Sequence, residues 1–144
     1  MTQIYIAGPL FSEAERSFNI KLKNELEILF PTISLFLPQE DAEDKSDTRD
    51  MNEVEKIFNK CFSGLKSSDI VIAVLDGADP DSGTCWECGY AYANGIPIFA
   101  IRTDFRISTQ NEIVNLMLQE SCISISSTIA ELKDELLKYK NSKE

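Results

Sequence analysis

The sequence predicts an α/β fold, with a parallel sheet of five strands and helices on both faces. Two observations carry this. Short apolar runs alternate with stretches of helical periodicity along the 144 residues, the pattern of a parallel sheet wound with crossover helices. The run Ile70 to Leu75 is apolar at every position and rich in β-branched residues, as in a central parallel strand buried on both faces.

Ile4 to Ala7 reads as the first strand, ended by Gly8-Pro9. Ser12 then precedes a helix in which Ala14, Phe18, Leu22, Leu26 and Leu29 recur at helical spacing, until Pro31 stops it. Ile33 to Leu37 reads as the second strand. Residues 39–50 are polar and acidic without a period, and are expected to form a flexible surface loop, long enough to cover a crevice and mobile without ligand. Met51, Val54, Ile57, Phe58, Cys61, Phe62 and Leu65 mark a second helix. After the strand Ile70 to Leu75, a turn at 76–80 leads into a helix from Gly83 to about Asn94, with Gly95 as its C-terminal cap. Pro97 to Ile101 is the fourth strand, 102–110 a loop, Glu112 to Leu118 a short helix and Cys122 to Ile125 the fifth strand. Ile129, Leu132, Leu136 and Leu137 place a last helix before a charged tail. Five strands at this length predict a flavodoxin-like three-layer sandwich of order 2-1-3-4-5, in a single domain over residues 1–144. Ligands in such folds bind beyond the C-terminal ends of the strands. Gly8 to Ser12 and Asp76 to Gly83 are therefore expected to flank the crevice.

Composition narrows the chemistry. A formal net charge of −10 and a pI near 4.5 disfavour nucleic acid and anionic membrane surfaces as partners. No run reaches the ~18 apolar residues of a membrane span, and no signal peptide is visible. Four cysteines in such a chain read as reduced thiols, so a cytoplasmic location is expected. The sequence contains no histidine, which removes the commonest general base and the commonest metal ligand. Chemistry must therefore come from carboxylates, Cys, Tyr, Lys or Ser.

The densest signal is the segment Asp81 to Ala91 (DSGTCWECGYA), which follows the central strand and opens a helix. Gly83, Glu87 and Ala91 are spaced by four and share a face, leaving room for a ligand beside the carboxylate. A helix N-terminus favours an ionised carboxylate. Such a carboxylate is a competent nucleophile for an anomeric carbon. The plainer alternative stays open: Glu87 as an exposed helix residue and Asp81 as an N-cap, or Asp81 in both roles. Tyr5, in the first strand, is either core packing or a phenol that needs a partner such as a carboxylate. Gly8-Pro9 with Ser12 makes a weak anion site without the glycines of a dinucleotide fingerprint. Cys85 and Cys88 form a C-x-x-C at a helix start, the placement of a thiol redox site, although a structural role is commoner. Cys61 and Cys122 lack paired ligand spacing, which argues against zinc, and Cys61 falls on an apolar helix stripe as core. Arg102 to Arg106 either lines the crevice or is solvated. Asn115 to Met117, taken alone, is packing.

In order along the chain, IYIAGPLFS (residues 4–12), SSDIVIAVLDG (67–77), DSGTCWECGYAYANGIPI (81–98) and NLM (115–117) resemble the nucleoside 2-deoxyribosyltransferases. The D-S-G-T-x-x-E-x-G-x-A block is the specific part. The resemblance implies exchange of purine or pyrimidine bases between 2′-deoxynucleosides through a covalent deoxyribosyl-glutamate, with no metal and no organic cofactor. Glu87 then matches the nucleophile and Tyr5 the tyrosine that orients it. Asp81 matches an aspartate that contacts substrate and helps protonate the departing base. Phe11 matches an aromatic of the base pocket, and Gln39, in a looser register, a base-contacting glutamine. Gly8 and Gly83 fall in the substrate-binding motifs. Asn115 and Met117 match residues that reach into a neighbouring subunit's site, the asparagine meeting the sugar 5′-hydroxyl. This implies a homo-oligomer with shared sites, built on dimers, with a hexamer as one such assembly.

The chain departs from some members at Cys61, where they carry a second aspartate, so base preference stays open. Water in place of the second base would make the enzyme a hydrolase. The nearest rival is an N-glycoside hydrolase of nucleoside 5′-monophosphates or other N-ribosides, with Ser12, Arg16 and Arg102 at the 5′ end. NAD cleavage, a thiol redox protein and a non-enzymatic nucleotide-binding module are more distant alternatives.

Overall fold

The computed structural model describes residues 1–42 and 49–143. Strand β1 (Gln3–Ala7) leads through helix α1 (Glu13–Leu29) to strand β2 (Ser34–Phe36). A one-turn helix α2 (Pro38–Asp41) and helix α3 (Met51–Lys66) precede strand β3 (Ile70–Val74). Helix α4 (Ser82–Ala93), strand β4 (Ile98–Ile101), helix α5 (Leu116–Ser121), strand β5 (Ser124–Ser126) and helix α6 (Ile129–Asn141) complete the chain. All neighbouring strands pair in parallel, in the order β2-β1-β3-β4-β5. The expected α/β sheet and its order are thus both present.

Successive strand residues point to opposite faces of a sheet, and this sorts the core into two layers. Ile4, Ile6, Ile70, Ile72 and Val74 face α1 and α6, packing with Leu22, Leu26, Leu132 and Leu136. Tyr5, Ala7, Val71 and Ala73 face the other way, toward Leu65 of α3, Cys88 and Ala91 of α4 and Leu118 of α5. Each buried Leu or Ile contributes about 1.5–3 kcal/mol relative to exposure. Ala7, Ala73 and Ala100 lie in register across β1, β3 and β4. Their small side chains let α4 lie close over the C-terminal half of the sheet.

The helix starts follow from capping chemistry. Ser12 with Glu15 and Asp50 with Glu53 form reciprocal capping boxes at α1 and α3. Gly95 adopts φ 70° just past α4, the left-handed conformation that ends helices. Gly64 is required by space: a Cβ there would stand 2.7 Å from Phe36 Cδ2, so α3 presses directly on β2.

Two expectations about local structure are corrected. The loop expected at 39–50 begins as helix α2, because Pro38 occupies its first turn and Asp41 Oδ2 accepts from the Leu37 N–H at 2.6 Å. A single turn offers no periodicity to read. The remainder of that expectation, including its mobility, falls largely on 43–48, outside the described residues. The helix expected at Glu112 to Leu118 begins only at Leu116 and runs to Ser121. Asn115 sets this start, its Oδ1 accepting from the Met117 N–H at 3.0 Å, while Thr109 and Glu112 form an isolated antiparallel bridge before it.

Candidate active site

The site is built where β1 passes under α4. Tyr5 is fully buried and stacks on Phe36 with ring centroids 5.2 Å apart. Its hydroxyl donates to Glu87 Oε1 at 2.6 Å. Both sequence alternatives for Tyr5 therefore hold together: its ring is core, and its phenol has a carboxylate partner. Glu87 is half-buried in the second turn of α4, not an exposed helix residue.

The electrostatics differ from the sequence expectation. Glu87 sits beyond the first turn, where the helix N-terminus acts most strongly. Burial instead pushes its carboxyl up to about 7, against the lowering effect of the Tyr5 bond and with a further rise from the charge of Asp81. Tyr5 is itself held far above the ordinary phenol range by burial and then by the Glu87 charge. It stays protonated and can only donate to the carboxylate.

Asp81 is the N-cap of α4. Its Oδ2 accepts from the Thr84 N–H at 2.9 Å and from Thr84 Oγ1 at 3.0 Å. Gly83 follows within the same turn, where a Cβ would stand 3.2 Å from Asp81 Oδ2. Gly8, at the C-terminal end of β1, has no room for a side chain: a Cβ would meet Val74 Cβ at 3.0 Å. Phe11 is exposed on the loop after it. Gln39 is buried; its Oε1 accepts from Asn19 Nδ2 at 2.9 Å and its Nε2 donates to the Arg16 carbonyl at 3.1 Å. Asn19 also donates to the Pro9 carbonyl at 2.9 Å, so α2 is tied to the turn after β1.

Asn115 and Met117 are not brought to Glu87 within one chain. They line a cavity of about 690 Å³ with Asp79, Pro80, Cys85 and Tyr92, and Glu87 is not among its walls. Met117 is 74% exposed.

The cationic side chains considered for a 5′-phosphate are engaged elsewhere. Arg16 Nη1 donates to the Leu10 and Phe11 carbonyls at 3.1 and 2.8 Å. Arg102 is 5% exposed and donates to the carbonyls of Leu75, Gly77 and Arg106. Of the segment Arg102 to Arg106, Arg102 is thus buried, whereas Thr103, Phe105 and Arg106 are exposed, as the solvated alternative expected. Ser12 caps α1 by accepting from the Glu15 N–H at 3.1 Å, a bond that does not use its hydroxyl proton.

The cysteines are free thiols. Burial pushes Cys85 and Cys88 above the ordinary thiol range, with acidic neighbours adding to the rise. A redox C-x-x-C is tuned the opposite way. Cys61, read from the sequence as core, is half-buried, and burial and then the charge of Glu87 push its thiol above the ordinary range. Sequence reasoning also missed the cluster of Phe58, Phe62, Trp86 and Tyr90, which joins α3 to α4 beside Glu87 through ring contacts of 5.1 to 6.2 Å. The spacing of Phe58 and Phe62 with Trp86 and Tyr90, four residues apart on each helix, was its one visible signal.

Among the described residues, no helix is long and apolar enough to cross a membrane. The nucleoside 2-deoxyribosyltransferase family model matches residues 4–117. A crystal structure of a conserved protein from Enterococcus faecalis is 32% identical, with TM-score 0.79 over 96% of this chain and 99% of that one. A 2-deoxyribosyltransferase from Bacillus psychrosaccharolyticus is 23% identical, with TM-score 0.77 over 92% and 90%. The CMP N-glycosidase of Clostridium botulinum is 17% identical, with TM-score 0.56 over 96% and 99%. No curated protein matches the sequence. With a family model spanning most of its length and a sheet that has the family's architecture, the chain belongs to the nucleoside 2-deoxyribosyltransferase family.

Proposed function

We propose that this protein transfers 2-deoxyribose between nucleobases, with Glu87 as the nucleophile. The observation that carries the reading is the 2.6 Å bond from the buried Tyr5 hydroxyl to Glu87. It fixes one carboxylate oxygen beneath α4 and leaves the other to attack. Glu87 attacks C1′ of a 2′-deoxynucleoside, and the C1′–N bond breaks as the C1′–O bond forms. Asp81 or a water supplies the proton to the departing base. A second base enters, attacks C1′ and releases Glu87, losing its proton by the same route. The absence of a 2′-hydroxyl eases formation of the oxocarbenium-like transition state. Water in place of the second base gives free deoxyribose.

The buried bonds that occupy Arg102 take one cation out of reach of a 5′-phosphate, which favours a neutral 5′-hydroxyl. The likeness to a CMP N-glycosidase keeps hydrolysis of 5′-monophosphates as the reading to test against. Phe11, Gly8, Gly83 and Gln39 are proposed to surround the sugar and base.

Asn115 and Met117 enter this reading through a second copy of the chain. Ile113, Leu116 and Met117 are exposed around α5, as are Met51, Val54, Phe58 and Trp86 on α3 and α4. Exposed apolar clusters, such as Phe58 against Trp86, mark interaction faces. We propose a dimer-based homo-oligomer in which Asn115 and Met117 complete a neighbour's site, acting in the cytoplasm, where the four thiols stay reduced. Light scattering of the protein and of Met117→Glu tests the assembly. A monomer at micromolar concentration overturns it.

Incubation with thymidine and adenine, followed by chromatography, tests the activity. Deoxyadenosine plus thymine supports transfer. Thymine with free deoxyribose moves the protein to hydrolysis. Turnover of nucleoside 5′-monophosphates alone overturns the substrate assignment, and retained transfer by Glu87→Ala overturns the nucleophile.

A further inference from the structure

Phe11 is 66% exposed, yet the loop that carries it is held at three successive carbonyls. Side chains of a helix tilt toward its N-terminus, so Glu15, Arg16 and Asn19 of α1 reach back over the loop between β1 and α1. Asn19, buried, donates from Nδ2 to the Pro9 carbonyl at 2.9 Å. Arg16 donates from Nη1 to the Leu10 and Phe11 carbonyls at 3.1 and 2.8 Å. Glu15 Oε2 accepts from the Phe11 and Ser12 N–H groups at 2.9 and 2.7 Å. The capping box of α1 needs only Ser12 and Glu15. The bonds of Arg16 and Asn19 therefore act on the loop and not on the helix start. Gln39 braces them from α2, accepting from Asn19 Nδ2 at 2.9 Å and donating to the Arg16 carbonyl at 3.1 Å. Both amide orientations follow from chemistry, because the Pro9 and Arg16 carbonyls can only accept.

We propose that Arg16 is a positioning residue for Phe11. With Asn19 it fixes the loop, so that the exposed ring is a preformed platform on which a nucleobase stacks. The loop leaves the C-terminal end of β1, the strand whose Tyr5 holds Glu87. An aromatic ring already fixed in its bound place takes a flat ligand without the cost of ordering it, and every base offers a face for stacking. Arg16 thus serves the loop and is not a ligand for a 5′-phosphate. The nucleobase as occupant rests on the base-exchange reading above; the mounting of Phe11 does not.

The test compares wild type, Arg16→Met, Arg16→Lys, Phe11→Ala and the double variant Phe11→Ala/Arg16→Met. Arg16 is exposed and outside both core layers. Methionine keeps an apolar stem without donors, whereas the lysine ammonium has three. NMR relaxation at the Phe11 amide of the free protein reads the mount. Its order parameter should fall from about 0.85 toward about 0.6 in Arg16→Met and recover at least in part in Arg16→Lys. The kcat/KM for exchange between thymidine and adenine reads the platform. It should fall roughly tenfold in Arg16→Met, the scale of one base–aromatic stack. In the Phe11→Ala background the same substitution should cost nothing further, because Arg16 acts through Phe11. Losses that multiply in the double variant overturn the inference, since Arg16 would then act on substrate or fold apart from Phe11. Unchanged order at Phe11 in Arg16→Met overturns it whatever the activity. Failure of the base-exchange reading is seen separately, as no deoxyadenosine formed by wild type, and the relaxation measurement needs no turnover.

Discussion

The Tyr5 hydroxyl and the Glu87 carboxylate meet at 2.6 Å although 82 residues separate them in sequence. Strand alternation turns Tyr5 toward the layer that holds α4, while Ile4 and Ile6 turn away. Helix α4 can come low enough to meet it because Ala7, Ala73 and Ala100 floor that layer. The contact joins the element that opens the fold to the helix that carries Glu87 and is capped by Asp81.

Removing the donor from this pair should expose both of its roles. In Tyr5→Phe the buried ring and its packing are kept, so what is lost is the hydrogen bond to Glu87. The carboxyl of Glu87, already lifted to about 7 by burial, loses its main lowering influence and rises further. Activity that needs ionised Glu87 grows as pH rises through that value, so the acid limb of kcat/KM should move to higher pH. A hydrogen bond to a charged group is worth about 1.5–3 kcal/mol, which predicts a loss of roughly 10- to 100-fold near neutrality. Profiles from about pH 5 to 9 check this. Any deficit that persists on the alkaline plateau measures lost orientation of the carboxylate.

The same burial makes Glu87 costly to the fold at neutral pH. Its carboxyl titrates near 4.5 when free of the fold and about 7 within it, so the folded state binds the proton more tightly. Stability from this group is fully present below about pH 4.5 and is lost as pH rises through about 7. Glu87→Gln removes the charge and keeps the shape. It should therefore be more stable than wild type at pH 8, by up to about 3 kcal/mol, and the gap should close on acidification toward pH 4.5. Urea melts of both proteins across that range measure it. A gap that widens on acidification would contradict the assignment of burial as the cause.

Much of this architecture was legible in the sequence, and the exceptions have physical causes. The strand order follows from alternating elements, and the all-buried strand Ile70–Val74 announced itself as a continuous apolar run. Asp81 read correctly as a cap because capping chemistry is local. Helix α2 escaped notice because one turn carries no period. Helix α5 was placed too early because Asn115, which starts it, follows apolar residues that themselves look helical. Cys61 read as core because sequence gives its stripe but not how fully the stripe is covered, and the residue is half-buried. The rise of the Glu87 carboxyl toward about 7 was not legible, because helix position is visible in sequence and desolvation is not.

Asp81 carries two assignments that substitution can separate. As N-cap it satisfies the Thr84 N–H, and loss of such a cap costs about 1 kcal/mol. Asp81→Asn retains a capping oxygen and loses the carboxylate, so its stability should stay within a few tenths of a kcal/mol of wild type. If Asp81 delivers the proton to the departing base, Asp81→Asn should lower kcat by roughly 100-fold or more, with poor leaving groups most affected. Asp81→Ala should lose both activity and the cap. Equal activity in Asp81→Asn and wild type would reduce the residue to its capping role.

Arg102 is the buttress behind this cap. Its guanidinium is buried and donates to the carbonyls of Leu75, Gly77 and Arg106. Asp76 meanwhile accepts from the backbone N–H groups of Thr103 and Asp104 at 2.6 and 2.9 Å. Together they lock the segment after β3, which leads into Asp81, against the segment after β4. Arg102→Met fills the volume but leaves buried carbonyls without donors. It should destabilise the fold by about 2–4 kcal/mol, and Arg102→Lys should recover only part of this, since one ammonium cannot reproduce the planar fork. Because the loosened segment leads into Asp81, the proposed proton donor, kcat should fall while the Tyr5–Glu87 bond stays in place. Denaturant melts and steady-state kinetics on both variants test the two halves of this expectation. A destabilised variant with unchanged kcat would mean that Arg102 supports the fold without acting on the loop that presents Asp81.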